Sequence, residues 1–335
     1  MPETATQPDF RESTPEAPFF SVITVCRNAG GCIEPTGRSL LDQSCQDWEW
    51  IVVDGASSDG TVETIRAMAG GDGRVLITSE PDSGIFNAMN KGVRAASGRY
   101  VHFLNADDSY ADAEVLADIH RELMEHPETD FLYGKILVKT PGRPDWLEDP
   151  PEVADAQATM VCGCLPHQAS FARRELFGSH PGPFDESLRT AGDYKWMLQA
   201  VSNPAIRLRR SARLVANYAE GGASANLQAS LPESFKVINE EIAFQQALGL
   251  PKILSMYQRQ VLNLRLQLQA AGEDLLRARE SAAKRAEALE KSVARLNAEK
   301  EKTAHLRGQR TGGSKASKEK RHRWLPRWLR PRTPT

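Results

Sequence analysis

Trp50-Ile51-Val52-Val53-Asp54 and Tyr100-Val101-His102-Phe103-Leu104-Asn105-Ala106-Asp107-Asp108 decide the fold of this chain. Each is a short apolar run that closes on acids. Runs of this kind, bounded by turn residues and separated by helical stretches, read as buried parallel strands. In an open α/β sheet the carboxyl ends of the strands border the ligand crevice. Carboxylates gathered along that edge suit a divalent cation and the hydroxyls of a nucleotide-linked sugar.

Working outward, residues 20–25 form a first strand and residues 75–78 a third. Helices are predicted around Ser39-Leu40-Leu41, over 62–68 and over 85–96. The turn Gly55-Ala56-Ser57-Ser58-Asp59-Gly60-Thr61 offers several side chains able to cap the helix that follows it. Four strands alternating with helices predict a parallel sheet with right-handed crossovers. Beyond Asp108 the pattern loosens. It predicts a helix over 115–125, a strand over 131–139, a Pro- and acid-rich loop over 140–156, a strand-like stretch over 167–173 and a helix over 193–201. The predicted organisation is a disordered leader over 1–18, an α/β domain over 19–223, a helical extension over 224–306 and a basic tail over 307–335.

Of 335 residues, 40% are apolar, enough for a substantial core, while a mean hydropathy of -0.46 signals a large solvated portion. The net charge of -2 conceals an asymmetry: residues 307–335 hold ten Lys and Arg against one acid, a net +9, so the rest carries -11. An acidic body with a basic tail points to an anionic surface as the tail's partner. Five cysteines in no zinc-like spacing read as free thiols of a reducing cytoplasm. Cys162-Gly163-Cys164 lacks the second pair that a metal site requires. The amino terminus lacks the basic and apolar regions of a signal peptide. No run approaches the ~20 apolar residues that span a bilayer. The expected location is cytoplasmic, peripheral at the inner face of the cell membrane.

Leu254, Val261, Leu268, Leu275, Ala282, Leu289 and Leu296 recur every seventh residue. Tyr257, Leu264, Ala271 and Ala278 hold the second heptad position, which fails at Arg285, Ser292 and Glu299. The pattern suits a coiled-coil homo-oligomer or, more plainly, a single solvated helix whose start packs on the core. Trp324-Leu325 and Trp328-Leu329, set among arginines, suit a lipid headgroup interface. A basic tail that touches nucleic acid without specificity, or nothing, is the plainer alternative.

Taken in order, SVITVCRN, WEWIVVDGASSDGT, EPDSGIFNAMNKG, GRYVHFLNADD, LPHQASFARRELF and TAGDYKWML resemble the inverting family-2 glycosyltransferases. They cover about residues 20–200, and the third is especially like enzymes that build bacterial surface polysaccharides. The resemblance implies a GT-A fold, a Rossmann-like, mostly parallel sheet flanked by helices. It also implies a nucleotide diphosphate-sugar donor, most simply a UDP-sugar, and a glycan or lipid-linked acceptor. By resemblance Asp54 contacts the base, Asp107 the ribose, Asp108 holds Mg²⁺ or Mn²⁺, and Asp193 is the catalytic base. The residues alone also allow Asp54 to cap its turn and Asp193 to cap its helix. Asn105 stands where the family's D-x-D element has its first acid, so metal affinity without donor is expected to be modest. Arg27 and Asp82 are further candidates for the donor nucleotide, and His167 and Gln168 for the diphosphate or the acceptor. Gly221-Gly222-Ala223-Ser224 resembles a closing segment that orders over bound donor. Two rivals stand beside this reading: a nucleotidyltransferase of related fold, which here lacks a lysine near Gly30-Gly31, and an inactive transferase-like scaffold.

Overall fold

The computed structural model describes residues 17–178, 182–221 and 227–310. The leader through residue 16, the closing segment from Gly222 and the tail from residue 311 lie outside the described residues. The first half follows the predicted alternation: β1 (Phe20–Cys26), α1 (Ile33–Leu41), β2 (Trp48–Asp54), α2 (Thr61–Ala69), β3 (Val75–Ser79), α3 (Ile85–Ala95) and β4 (Tyr100–Phe103). Then come β5 (Ser109–Tyr110), α4 (Val115–Glu125), β6 (Phe131–Lys139), β7 (Trp146–Glu148), α5 (Val153–Thr159), β8 (Ser170–Arg173), α6 (Gly192–Ser202) and β9 (Leu208–Ala219). The chain goes on through α7 (Leu227–Glu240), α8 (Ile242–Leu248) and α9 (Leu250–Arg310).

The strands form one mixed sheet in the order β3-β2-β1-β4-β8-β6-β9-β5, with β7 also paired to β6. The first four are mutually parallel. β8 then runs antiparallel to both β4 and β6. Chain order reverses between β1 and β4. At such a switch point the loops leave in opposite directions and open a crevice at the carboxyl ends of the strands.

Alternation along the strands sorts the core onto two faces. Phe20, Val22, Trp48, Trp50 and Val52 join one apolar cluster with Ile33, Leu40 and Leu116. Ile23, Val25, Ile51 and Val53 join the other with Phe86, Met89 and Met197. α3 lies close on the sheet because Gly92 faces Ile23: an added Cβ would stand 2.5 Å from its Cγ2. Trp50 is fully buried, yet its Nε1 donates to Thr24 Oγ1 at 2.9 Å, and Thr24 donates to the Leu104 carbonyl at 2.7 Å. That chain ties β2, β1 and the end of β4 together, so the acidic edge rests on a satisfied polar core.

Four features depart from expectation. The sheet is mixed beyond β4. The stretch 140–156, expected as a loop, contains β7 and the start of α5. His167–Ala169 is a 3₁₀ turn ahead of β8. β9 has no counterpart in the sequence reading, because its half-exposed, arginine-rich course contains no apolar run. Those arginines are paired: Arg209 Nε lies 2.6 Å from Glu122, Arg213 Nε 3.0 Å from Asp118, and Arg210 contacts Asp149.

The compact body runs to Val261, past the predicted boundary at 223. Val237, Ile238, Phe244 and Ile253 are buried in the same cluster as Ile23 and Phe86. The second unit begins at Leu262 and its described part is helix. Along it Leu268, Leu275, Leu289 and Leu296 are 56–72% exposed. Among the described residues no helix is long and apolar enough to cross a membrane.

Candidate active site

A cavity of about 300 Å³ opens at the switch point. Arg27 and Asn28 reach it from the end of β1, Asn105 and Asp107 from the end of β4, and Phe86 and Met89 from α3. His167, Gln168, Arg189 and Asp193 close the far wall. Of the eight residues singled out in the sequence, five line this space: Arg27, Asp107, His167, Gln168 and Asp193. Asp54, Asp82 and Asp108 do not.

Asp54 is fully buried at the end of β2. Its Oδ2 accepts from Ser57 N at 2.9 Å and Ser79 Oγ at 2.6 Å, and its Oδ1 accepts from the Ser57 hydroxyl and the Cys26 thiol. Burial raises the carboxyl's pKa, but these donors outweigh it and hold the group below the usual range. With its lone pairs engaged, Asp54 braces β1, β2 and β3. The rest of the motif is spent in the same way. Ser57 Oγ accepts from Asn28 N at 2.7 Å, Asp59 from Gly30 N at 2.8 Å, and Thr61 Oγ1 from Ala29 N at 2.9 Å. Asn28 and Ala56 are held in the left-handed region, with φ of 53° and 56°. Strain of that kind persists only where neighbouring bonds over-determine the backbone.

Asp82 stands apart, over Gly55. A Cβ at Gly55 would lie 2.5 Å from Asp82 Oδ2 and 3.3 Å from Arg27 Cδ. Asp82 Oδ1 accepts from Gly84 N at 3.1 Å. Glycine at 55 leaves room for the Asp82 carboxylate where it stands, and it forms a floor between that carboxylate and the Arg27 side chain.

The two acids after β4 are divided otherwise than expected. Asp107 is exposed and lines the cleft. Asp108 is buried, accepts from Ala219 N at 3.1 Å through Oδ1, and its Oδ2 has no partner among the described residues. Burial, with the Asp107 charge adding to it, pushes the Asp108 carboxyl up to about 8. The backbone turn is fixed from below, where Thr36 Oγ1 donates toward the Ala106 and Asp108 carbonyls at 2.9 and 2.6 Å.

Asp193 sits in the first turn of α6, its Oδ1 accepting from Tyr194 N at 2.8 Å. Its Oδ2 lies 3.4 Å from His167 Nδ1. The loop into α6 is held by a residue that sequence reading missed. Glu233 of α7 accepts from Arg189 N at 2.9 Å, Thr190 N at 2.7 Å, Thr190 Oγ1 at 2.8 Å and Ala191 N at 3.2 Å. A glutamate within a helix carries no sequence signal for this role, since its partners lie over forty residues away.

The family model for glycosyl transferase family 2 matches residues 21–177. A PGL/p-HBAD biosynthesis glycosyltransferase of Mycobacterium bovis BCG is 33% identical over 211 residues, covering 63% of this chain and 80% of the relative. A putative teichuronic acid biosynthesis glycosyltransferase of Bacillus subtilis, TuaG, is 35% identical over 154 residues, 44% of this chain and 60% of that one. Among solved structures, S. aureus TarS 1-349 in complex with UDP-GlcNAc superposes with a TM-score of 0.56 at 20% identity, covering 71% of this chain and 72% of that chain. The mannosyltransferase PcManGT of Pyrobaculum calidifontis, in complex with GDP-Man and Mn²⁺, gives 0.52 at 19% identity, covering 78% and 81%. Those two likenesses show the GT-A fold. The nucleotidyltransferase and scaffold alternatives fall away: the chain belongs to glycosyl transferase family 2 and is a sugar-transferring enzyme.

Proposed function

We propose that this enzyme moves one sugar from a nucleoside diphosphate donor to a hydroxyl of a glycan or lipid-linked acceptor, inverting the anomeric carbon. The observation that carries the reading is one cleft, at the sheet's switch point, lined by both Asp107 and Asp193. Asp193 takes the acceptor's proton as that oxygen attacks C1 from the face opposite the leaving diphosphate. Arg27 and Asp82 flank the floor left by Gly55, where a base would lie, and Asp82 Oδ2 accepts from a ring N–H. Asp54 supports that pocket from behind and does not read the base.

A divalent cation, Mg²⁺ or Mn²⁺, fits the acids after β4. Among the described residues no three ligating side chains gather, so the protein supplies one or two oxygens and the donor's phosphates the remainder. Asp107 would supply the first such oxygen, and Asp108 Oδ2, which has no partner among the described residues, would supply the second once its proton leaves. A cation held there supplies charge neutralisation for the departing diphosphate.

The UDP-GlcNAc complex of TarS supports a uridine donor, and the names of the mycobacterial and Bacillus relatives support a role in surface glycan synthesis. In this reading the basic tail meets the anionic inner leaflet, and the apolar stripe of α9 pairs with a second copy. A thermal-shift panel of uridine, thymidine and guanosine diphosphate sugars, with and without Mn²⁺, tests it. A ligand at one hundred times its Kd stabilises by about 2.7 kcal/mol. Stabilisation by one donor class that grows with Mn²⁺ supports the reading, and a flat response to every donor overturns it.

A further inference from the structure

Asn105, His167 and Asp193 stand in line across the cleft. β4 and β8 pair antiparallel with His102 opposite Phe171, which brings the residue after β4's last turn beside the 3₁₀ turn ahead of β8. Asn105 Nδ2 lies 3.0 Å from His167 Nε2, and His167 Nδ1 lies 3.4 Å from Asp193 Oδ2. We propose that Asn105 and His167 are positioning residues: Asn105 donates to Nε2, His167 donates from Nδ1, and the Asp193 carboxylate is thereby aimed at the acceptor hydroxyl. The inference rests on Asp193 being the base.

The direction of the chain follows from what each group can do. An amide nitrogen has only protons to offer, so Nε2 must be the bare nitrogen and Nδ1 must carry the hydrogen. Turning the amide round would place Oδ1 against Nε2 and demand a proton there. Nδ1 would then either be bare, with two lone pairs facing across 3.4 Å, or protonated as a half-buried imidazolium. Burial disfavours the second state and draws the His167 pKa down, against the opposing pull of Asp193 and Asp107.

The chain assigns a purpose to asparagine at 105. An aspartate there accepts but does not donate, so it draws a proton to Nε2 and either bares Nδ1 toward Asp193 or makes an imidazolium held between two carboxylates. Asparagine holds the neutral imidazole with its hydrogen toward Asp193. It also joins the motif beside the diphosphate to the residue that meets the acceptor. The sequence singled out all three residues but could not show that they join, because they are far apart in the chain.

The test combines a spectrum with kinetics. Protein labelled with ¹⁵N-histidine, with the His167 signals identified by their loss in His167→Gln, reports which ring nitrogen carries hydrogen. The expected state is protonated Nδ1 and bare Nε2; the opposite tautomer, or an imidazolium at the pH of activity, overturns the proposal. In transfer assays His167→Ala is expected to lower kcat by about 10- to 100-fold, since misplacement near 1 Å costs about that much, with donor KM within about twofold. His167→Asn puts an amide N–H near the Nδ1 position and is expected to recover part of kcat. His167→Gln reaches only the Nε2 position and is expected not to. A His167→Ala variant that raises donor KM at constant kcat makes His167 a donor contact and overturns the proposal. Asp193→Asn separates the two levels. If it retains wild-type kcat, the reading beneath the inference fails; if it is inactive while His167→Ala is not impaired, the positioning chain alone fails.

Discussion

Replacing Glu233 by alanine removes one carboxylate that serves four donors on the loop carrying Asp193: three backbone N–H groups and the Thr190 hydroxyl. Hydrogen bonds to a charged group contribute about 1.5–3 kcal/mol in favourable cases. Glu233 is half-buried, so water replaces some of what is lost, and alanine gains a few tenths of a kcal/mol in helix propensity. The expected loss is about 1–2 kcal/mol of stability, read as a shift in the urea midpoint at constant slope. The larger effect is on rate. Once the loop is released, Asp193 loses its fixed approach, and a displacement near 1 Å costs about 100-fold in kcat. Acid should erase the difference between the two proteins. Burial raises the Glu233 carboxyl's pKa, but the bonds from Thr190, Arg189 and Ala191 outweigh it and hold the group below its ordinary 4.5. Its stabilisation is therefore complete above that value and lost as pH falls through the depressed one. A variant with reduced stability but kcat within twofold of wild type would refute the positioning role, and a variant unchanged in both would refute the bonds themselves.

Gly55→Ala places a methyl 2.5 Å from Asp82 Oδ2, so the carboxylate must move. Because Asp82 is partly exposed, stability should change by less than about 1 kcal/mol while donor KM rises about tenfold or more; an unchanged KM removes Asp82 and Gly55 from the base pocket. His102 is fully buried, stacks 4.3 Å from Phe171, and is held neutral with its pKa drawn down to about 4, chiefly by burial. Its ordinary value is 6.5, so as pH falls from there toward about 4 the unfolded chain takes up a proton that the folded one refuses, and about 3 kcal/mol of stability is lost. Urea midpoints measured across that window should fall less steeply for His102→Gln than for wild type, and equal slopes would contradict the assignment.

The first four strands were legible because apolar runs of four to seven residues, each ended by acids or turn residues, admit little else. Their parallel pairing followed from the helices between them. β9 escaped because an edge-ward strand that spends its arginines on Glu122, Asp118 and Asp149 carries polar residues where a pattern reader looks for valines. At the site, sequence indicated which acids would gather but not which way each would face. Asp107 and Asp108 are adjacent, and only the strand pairing of Ser109 and Tyr110 with β9 turns one toward the cleft and the other under Ala219. Asp54 was expected at the base, and sequence could not show that two serines and a cysteine donate to its oxygens. Glu233 could not be found at all, since its partners are backbone groups that α7 reaches only in the folded chain.

Asp193 carries the proposed chemistry most directly. Asp193→Asn keeps the shape and the bond from Tyr194 N while removing the capacity to accept a proton. Single-turnover transfer with saturating donor, paired with donor titration of the same protein, should show a rate lower by about 10²–10⁴-fold at unchanged donor affinity. A variant that transfers sugar at the wild-type rate would contradict the claim that this carboxylate takes the acceptor's proton.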